Sequence, residues 1–218
     1  DLTFKDYKET LNEDDKLVTL FKPGSTKGGY FSNFGWIKAS SDENFDLPND
    51  QTVWSTNSKK ITNKNSATFF WTNNQGIQFE QEILVDENYM FTIKQKITNN
   101  SNKNISLSPV GKISRTDTPK TQGFFILHEG PIGIIDNVLE EIDYKDLKKN
   151  IGPIEYNSKG GWFGITDKYW LATIIPDQSS NVIARYQFYT KNNKEKYQVD
   201  FKGGVVEIPS NKSITIKN

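Results

Sequence analysis

Alternating apolar and polar residues in two consecutive segments constrain the fold of this chain more than any other feature of its sequence. Residues 77–85, IQFEQEILV, place most of their apolar side chains at every second position. Residues 89–97, YMFTIKQKI, do the same, while Lys94 and Lys96 point the other way. A period of two is typical of half-buried strands. The three polar residues 86–88 between the segments suit a tight hairpin, so the sequence predicts an antiparallel strand pair.

The same alternation returns along the rest of the chain, interrupted by turns rich in Asn, Gly and Pro. The stretches NNSNKN at 99–104 and KNNKEK at 191–196 hold residues that tolerate left-handed backbone. Short strands separated by such turns, without long helices between them, are typical of a sandwich or barrel. We therefore predict an all-β fold in which two large antiparallel sheets lie face to face.

One segment departs from this pattern. In DNVLEEIDYKDLKKN, residues 136–150, Leu139, Ile142 and Leu147 follow one another at near-helical spacing. Two lysines near its end would lie in the last turn of a helix, where cations suit the helix dipole. The sequence predicts one or two short helices here.

Length and composition exclude several classes of protein. A β-sandwich of 218 residues commonly forms one unit, so we expect a single domain, 1–218. The formal net charge of zero gives no basic field for nucleic acid, and the absence of Cys excludes disulfides and thiolate metal sites. The apolar runs are far shorter than the roughly 18 residues of a membrane span. The start at DLTFKDY, without Met, suggests a piece of a longer protein.

The residues that most often carry catalysis are sparse. His128, the only histidine, stands beside Glu129 and could act as a general base, but it lacks the partners of a Ser/His relay or an imidazole metal site. We predict a turn or strand-end position for it. Asp42, Glu43 and Asp46 cluster without the spacing of a calcium loop, so a solvated surface is expected. The sequence predicts no catalytic residue, no cofactor and no metal.

Two stretches rich in glycine or aromatic residues admit more than one interpretation. KPGSTKGGYF at 22–31 lacks the Gly-Lys-Ser/Thr ending of a phosphate loop and is interpreted as a turn. GYFSNFGWI brings together Tyr30, Phe31, Phe34 and Trp36. These rings could form a platform on which a sugar stacks, or the core side of a strand. The core interpretation is preferred, and the sugar interpretation stays open.

The stretch NSKGGWFGITDKYWLATIIPDQ, residues 157–178, resembles the signature of the first large periplasmic domain of the YidC membrane-protein insertase family of Gram-negative bacteria. Similar pieces are FTIKQKITNNSNKNISLSPVGKISR, ILHEGPIG and VEIPSNKSITIKN. The signature positions in this sequence are Gly160, Gly161, Trp162, Asp167, Lys168, Tyr169 and Pro176. Their expected role is structural.

This resemblance implies a β-supersandwich of two antiparallel sheets with a short helical element, similar to galactose-mutarotase-like sandwiches. It implies a domain excised from a longer, multi-pass inner-membrane protein, lying at the periplasmic face of that membrane. The whole protein would insert and fold inner-membrane proteins, alone or with the Sec translocon. The domain itself would be non-catalytic, and the insertase groove would lie outside these residues.

The resemblance also implies partners. Through the full-length protein these would be nascent membrane proteins and SecDF, the accessory part of the Sec translocon. The SecDF contact would fall between Val85 and His128, where the candidate residues are Lys94, Lys96, Lys103 and Lys112. The alternative function is a carbohydrate-binding β-sandwich of mutarotase-like fold. A mutarotase-type enzyme would need a pair of histidines, which this chain does not have.

The signature stretch also predicts local structure. By alternation, Trp162, Gly164 and Thr166 lie on one side of a strand, and the chain turns at the Asp-Lys pair. The apolar run that follows, 169–175, is typical of a strand buried on both faces. We therefore expect a central hairpin of the sandwich, with Trp162 as a buried ring.

Overall fold

The computed structural model describes residues 1–12, 14–41, 43–121 and 127–218. Within these residues the chain forms seventeen strands and one short helix. Their bounds, in chain order, are β1 (Leu2–Lys8), β2 (Leu17–Phe21), β3 (Tyr30–Lys38), β4 (Ser55–Thr56), β5 (Ala67–Thr72), β6 (Ile77–Val85), β7 (Phe91–Asn99), β8 (Ile105–Thr116), β9 (Gly130–Ile135), β10 (Val138–Glu141), α1 (Tyr144–Lys149), β11 (Ile154–Lys159), β12 (Trp162–Thr166), β13 (Leu171–Ile174), β14 (Asn181–Lys191), β15 (Lys194–Gly203), β16 (Val206–Ile208) and β17 (Lys212–Lys217).

Antiparallel pairing organises these strands into four sheets. β1 pairs with β2, and a four-stranded sheet has the order β10-β9-β12-β13. A six-stranded sheet has the order β11-β14-β15-β8-β16 with β3 paired to β8, and a five-stranded sheet has the order β17-β7-β6-β5-β4. The predicted all-β fold of antiparallel sheets with a short helix is confirmed. The strands are divided among four sheets, of which two are large.

The hairpin predicted from the alternating segments is confirmed as β6 and β7, paired from Ile77↔Asn99 to Val85↔Phe91. Its connection has five residues, 86–90, so the prediction of three is wrong. The reason is the side chain of Asp86, whose carboxylate accepts the backbone N–H groups of Asn88 and Met90 at 2.8 and 2.9 Å. This Asp closes a wider loop than the count of polar residues indicated.

The short helix predicted within residues 136–150 is confirmed, but it occupies only the end of that segment. Its first part is the strand β10, and only Tyr144–Lys149 is helical. Asp136 and Asn137 both have left-handed backbone, with φ of 45° and 67°. Consecutive positive φ values are the geometry of a two-residue hairpin turn, which returns the chain from β9 into β10. In α1, Tyr144 and Leu147 are buried one turn apart.

The chain divides into two compact units. The first unit comprises residues 1–33, 111–175 and 181–201, and the second comprises 34–110, 176–180 and 202–218. The strands β3, β8 and β15 each contain residues of both units. The prediction that 1–218 is a single domain stays a prediction.

The core of the second unit lies between the five-stranded sheet and strands of the six-stranded sheet. Phe79 and Ile97 come from β6 and β7, and Leu107 and Ile208 come from β8 and β16. All four are almost completely buried. The side chain of Asn99 is buried as well, and it donates hydrogen bonds to the carbonyl oxygens of Lys103 and Ile208. This unit is a small β-sandwich.

The core of the first unit lies between the four-stranded sheet and the strands β14 and β15. Phe163 on β12 and Tyr186 and Tyr197 on the facing strands have essentially no exposed surface. Gly133 on β9 makes room for them, because a Cβ at this position would lie 2.3 Å from the Tyr186 hydroxyl. The first unit is therefore also a sandwich, closely packed at its centre.

Candidate functional site

The family-like signature begins with a glycine turn between β11 and β12. Gly160 and Gly161 have φ of 62° and 87°, values that side chains with a Cβ rarely adopt. A Cβ on Gly161 would lie 2.2 Å from the carbonyl oxygen of Ile134. The Ser158 hydroxyl donates to the Gly160 carbonyl and accepts the backbone N–H of Asp136. The turn thus joins β11 to the β9–β10 hairpin.

We expect Gly161→Ala to lower the free energy of unfolding by about 2–3 kcal/mol, because it adds a backbone clash to an unfavourable φ. The matched control is Gly152→Ala, where φ is 91° but no atom lies within 4 Å of the added Cβ. That control should cost only about 1 kcal/mol. Chemical denaturation of both variants measures the difference, and equal losses would show that the clash is relieved.

The hairpin that follows the glycine turn was predicted to contain a strand buried on both faces and a buried Trp162. The hairpin itself is confirmed, and these two details are wrong. β12 and β13 pair antiparallel as expected. However, β13 is the outermost strand of its sheet, and Leu171 is 49% exposed, so the prediction of a strand buried on both faces is wrong. Trp162 is only half-buried, and Phe163 is the buried ring. The alternating pattern correctly placed Trp162 and Phe163 on opposite faces of β12, but it did not show which face packs against the core.

Asp167, in the turn of this hairpin, belongs to a cluster of four polar and aromatic side chains, named here the arginine cluster: Tyr30, Arg115, Tyr144 and Asp167. Arg115 donates a 2.5 Å hydrogen bond to the Asp167 carboxylate and another of 3.4 Å to the Tyr144 hydroxyl. Its guanidinium lies 4.9 Å from the centre of the Tyr30 ring. The Tyr30 hydroxyl in turn donates to the Ile165 carbonyl. The signature aspartate is therefore one end of a partly buried ion pair.

Burial sets the charge states in this cluster. It raises the pKa of the Tyr30 and Tyr144 hydroxyls far above the ordinary tyrosine value, so both stay protonated at neutral pH. Burial by itself lowers the pKa of the Arg115 guanidinium, but Tyr144 and Asp167 outweigh it and raise that pKa above its ordinary value. The two tyrosine hydroxyls and the guanidinium of this cluster therefore keep their protons at neutral pH.

The other signature residues are more peripheral. The Lys168 ammonium lies 4.9 Å from the centre of the Tyr169 ring, and Tyr169 is 73% exposed. Pro176 is buried in the second unit, where its carbonyl accepts a hydrogen bond from the Gln178 side chain. The structure therefore brings the glycine turn, Trp162 and Asp167 together in the first unit, and places Pro176 in the second.

Sequence reasoning missed the role of arginine. Arg115 and Arg185 are the only two arginines among 27 basic residues, and each makes an ion pair with an aspartate. Arg185 donates at 2.6 Å to Asp200, whose carboxylate is almost fully buried and also accepts from the side chain of Gln198. A planar guanidinium suits buried pairs better than an ammonium does. The small number of arginines was the feature of the sequence that could have pointed to these two ion pairs.

The side chains considered for catalysis have structural contacts. His128 lies two residues before β9, with Nε2 2.9 Å from the Pro131 carbonyl oxygen and Nδ1 3.7 Å from the Asp143 carboxylate. The Glu43 carboxylate accepts the backbone N–H of Ser106. Asp42 lies outside the described residues. In the parts of the chain that the structure describes, no three His, Cys, Asp or Glu side chains form a group that could hold a metal.

Of the rings considered for sugar stacking, Tyr30 and Trp36 are buried, and Phe31 and Phe34 are half-buried. Two of the four rings therefore belong to the cores of the two units, as the preferred interpretation has it.

The only helix within the described ranges has six residues, too short to cross a bilayer.

The four candidate lysines between Val85 and His128 are divided between the two units. Lys94 and Lys96 lie side by side on β7, in ion pairs with Glu82 and Glu80 at 2.8 and 3.0 Å. Lys103 is exposed in the turn before β8, also in the second unit.

Lys112 belongs to the first unit, with its ammonium 5.8 Å from the centre of the Phe31 ring. Residues 122–126 of this segment lie outside the described residues. Of the four lysines, Lys94 and Lys96 are the two that share a strand.

Glu82 makes the fold sensitive to acid. Hydrogen bonds from Lys94 and then from Ser66 hold the pKa of its carboxyl below the ordinary value of 4.5. A lowered pKa in the folded state stabilises the protein above the unfolded pKa, and this contribution is lost as pH falls through the folded pKa. We expect Glu82→Gln to be less stable than the parent at neutral pH, with the difference vanishing in acid. Urea unfolding across that range measures it, and a pH-independent difference would contradict the assignment.

Comparison with known proteins agrees with the signature. The family model described as the YidC periplasmic domain matches residues 1–218. A protein of Rickettsia bellii (strain OSU 85-389) named membrane protein insertase YidC is 42% identical over 217 residues, covering 100% of this chain and 38% of its own length. A protein of the same name from Rickettsia felis (strain ATCC VR-1525 / URRWXCal2) is 40% identical over 218 residues, covering 100% and 39%.

This chain spans less than two fifths of the length of these curated relatives. The match nevertheless extends over all of its residues, from the β1–β2 pair to β17, and includes the glycine turn and Asp167. The resemblance inferred from the signature is thereby confirmed, and the chain belongs to the YidC periplasmic domain family.

Proposed function

We propose that this chain is the non-catalytic periplasmic domain of a membrane protein insertase, which inserts and folds inner-membrane proteins alone or with the Sec translocon. The observation that carries the proposal is the whole-chain match to the YidC periplasmic domain, together with relatives named as insertases at about 40% identity. The domain lies at the periplasmic face of the inner membrane, and nascent membrane proteins are clients of the whole protein.

The described side chains support a non-catalytic role. An acid-base catalyst needs a titratable group that can reach a substrate and change its protonation near working pH. The imidazole of His128 lies between a backbone carbonyl and the Asp143 carboxylate, and burial raises the pKa of the Tyr30 and Tyr144 hydroxyls so that both stay protonated at neutral pH.

The coding sequence offers the most direct test of this function. An insertase needs apolar segments of about 20 residues to span the bilayer. We expect the gene to encode such segments beyond the codon for Asn218. A stop codon shortly after that codon would overturn the insertase proposal, whatever the domain itself binds.

We also propose that SecDF contacts the surface formed by Lys94 and Lys96. These two side chains are 39% and 43% exposed, and their ion pairs with Glu82 and Glu80 present alternating charges on neighbouring strands. Charges arranged in this way favour a partner of complementary pattern. The contact lies within the segment that the family resemblance indicates.

Photo-crosslinking in native membranes tests this contact. A photoreactive residue at Lys94 or Lys96 should crosslink to SecD or SecF. The matched control is the same residue at Lys145, an exposed lysine of α1 in the first unit. Equal crosslinking from Lys145, or no Sec component from either β7 position, would contradict the proposed surface.

We further propose that residues 1–218 fold as one domain. The proposal is supported by the connectivity of the chain, because β3, β8 and β15 each contain residues of both compact units. Neither unit keeps its strands complete without the other. We expect a single calorimetric transition whose van't Hoff and calorimetric enthalpies agree. Two separable transitions would contradict this.

A further inference from the structure

The loop that joins β6 to β7 exposes three consecutive large apolar side chains. Tyr89 is 50% exposed, Met90 52% and Phe91 38%. Single exposed apolar residues are common on protein surfaces, whereas consecutive ones at a loop tip often mark a binding surface. We call these three residues the apolar tip.

Hydrogen bonds of Asp86 close the loop that carries the apolar tip. The carboxylate of Asp86 accepts the N–H groups of Asn88 and Met90, and the Asp86 N–H donates to the Met90 carbonyl at 3.0 Å. Tyr89 has φ of 63°, a left-handed value that is unfavourable for an aromatic residue. Asn or Gly would adopt this backbone more easily, so local turn chemistry does not explain a tyrosine here.

A loop next to the apolar tip carries three exposed lysines. The loop between β4 and β5 carries Lys59, Lys60 and Lys64, all exposed. This loop lies beside the tip, because the Asn63 side chain donates a 3.1 Å hydrogen bond to Glu87, and because Lys64 and Met90 line the same surface depression.

The two acidic residues of the loop 86–90 accept hydrogen bonds from groups of the protein itself. The Asp86 carboxylate is occupied by backbone N–H groups and that of Glu87 by Asn63. The two loops together hold three lysines and two carboxylates, so their formal net charge is positive.

We propose that the apolar tip inserts into the headgroup region of a bilayer that contains anionic lipids. Met90 and Phe91 enter the boundary of the acyl chains, and the Tyr89 ring lies at headgroup depth, where aromatic residues are enriched. Lys59, Lys60 and Lys64 bind lipid phosphates. Apolar insertion combined with attraction to anionic lipid is the usual basis of interfacial binding.

This inference rests on the proposed function in one respect, namely that a bilayer is within reach of the domain. Its chemistry is that of the described residues alone. Anchoring at this tip would fix which end of the five-stranded sheet faces the membrane.

A fluorescent probe at the tip tests the insertion. The chain contains no cysteine, so Met90→Cys can be labelled at one site with the environment-sensitive dye NBD. The control is Val205→Cys, an exposed apolar position between β15 and β16. We expect blue-shifted, brighter emission from the Met90 site on vesicles of phosphatidylcholine and phosphatidylglycerol in equal parts, and no change from Val205. Equal responses at the two sites, or none on any vesicle, would overturn the proposal.

Unlabelled variants separate the apolar and charged contributions. The variant Met90→Ser with Phe91→Ser should bind the anionic vesicles about tenfold more weakly in flotation, because two apolar contacts are lost. Lys59→Glu, Lys60→Glu and Lys64→Glu together should abolish the preference for anionic over neutral vesicles. The matched charge control reverses Lys5, Lys145 and Lys159, exposed lysines of the first unit, and should leave binding unchanged.

Each outcome of these assays bears on the proposal. Tip variants that float as well as the parent, or equal binding of the parent to neutral and anionic vesicles, would overturn it, and would leave a protein partner as the occupant of the tip. Circular dichroism excludes unfolding of the variants. None of these assays uses insertase activity, so a negative result leaves the proposed function to the coding-sequence and crosslinking tests.

Discussion

Phe163→Ala is expected to lower the free energy of unfolding by about 3–5 kcal/mol. The ring has no exposed surface, and its residue pairs with Gly133 on β9 and Ile174 on β13. Truncating a buried aromatic residue removes apolar contacts and leaves a cavity that closely packed surroundings fill only in part. Urea or guanidinium unfolding of the purified domain measures the loss.

The neighbouring Trp162→Ala is the matched control. The sequence alone predicted this ring to be buried, yet it is half-exposed. Its truncation should therefore cost about 1–2 kcal/mol, less than that of Phe163 despite the larger side chain. If Trp162→Ala proved the more damaging change, the face of β12 that meets the core would have been assigned incorrectly.

Asp167→Ala is expected to lower the free energy of unfolding by about 3 kcal/mol. The side chains of Arg115 and Asp167 are 17% and 24% exposed, so the change leaves a guanidinium largely buried without its counter-charge. Removing one partner of a buried pair is costly for this reason, and partial exposure keeps the cost at the low end of the usual range. Tyr30 and Tyr144 cannot replace the carboxylate, because burial raises the pKa of both hydroxyls.

Two controls isolate the unpaired charge. Asp146→Ala removes an aspartate whose ion pair with Lys149 is 60% and 64% exposed, and it should change stability by less than about 0.5 kcal/mol. The double variant Arg115→Met with Asp167→Leu removes both charges and should recover most of the loss. A double variant as unstable as Asp167→Ala would show that lost packing, and not the unpaired Arg115 guanidinium, causes most of the loss of stability.

The strands were predictable because their signal is local. Alternation in residues 77–85 and 89–97 reports one buried face, and that face exists whatever lies opposite it. The connection 86–90 was less predictable, because the side chain of Asp86 determines its length. Residues 136–150 show a second limit, since the spacing of Leu139, Ile142 and Leu147 suits a helix while two left-handed residues at 136 and 137 begin a hairpin instead.

The signature was recognisable from the sequence, but the reason for its aspartate was not. Gly160 and Gly161 stand where φ is positive, which consecutive glycines already suggest. Asp167 pairs with Arg115, 52 positions away in the sequence, and no local pattern connects the two. The four candidate lysines show the same limit, because they lie in one segment of the sequence but are divided between the two units.

By itself, the sequence determined the all-β class, the antiparallel hairpins and the family, since each depends on patterns carried by neighbouring residues. The tertiary structure alone decided that Phe163 and not Trp162 is buried, that β13 is an edge strand, and that Asp167 neutralises Arg115. Burial and ion pairing depend on which strand lies opposite, and that is settled by contacts between residues far apart in the chain. It also placed the apolar tip beside Asn63 and Lys64, by folding the β4–β5 loop against the β6–β7 hairpin.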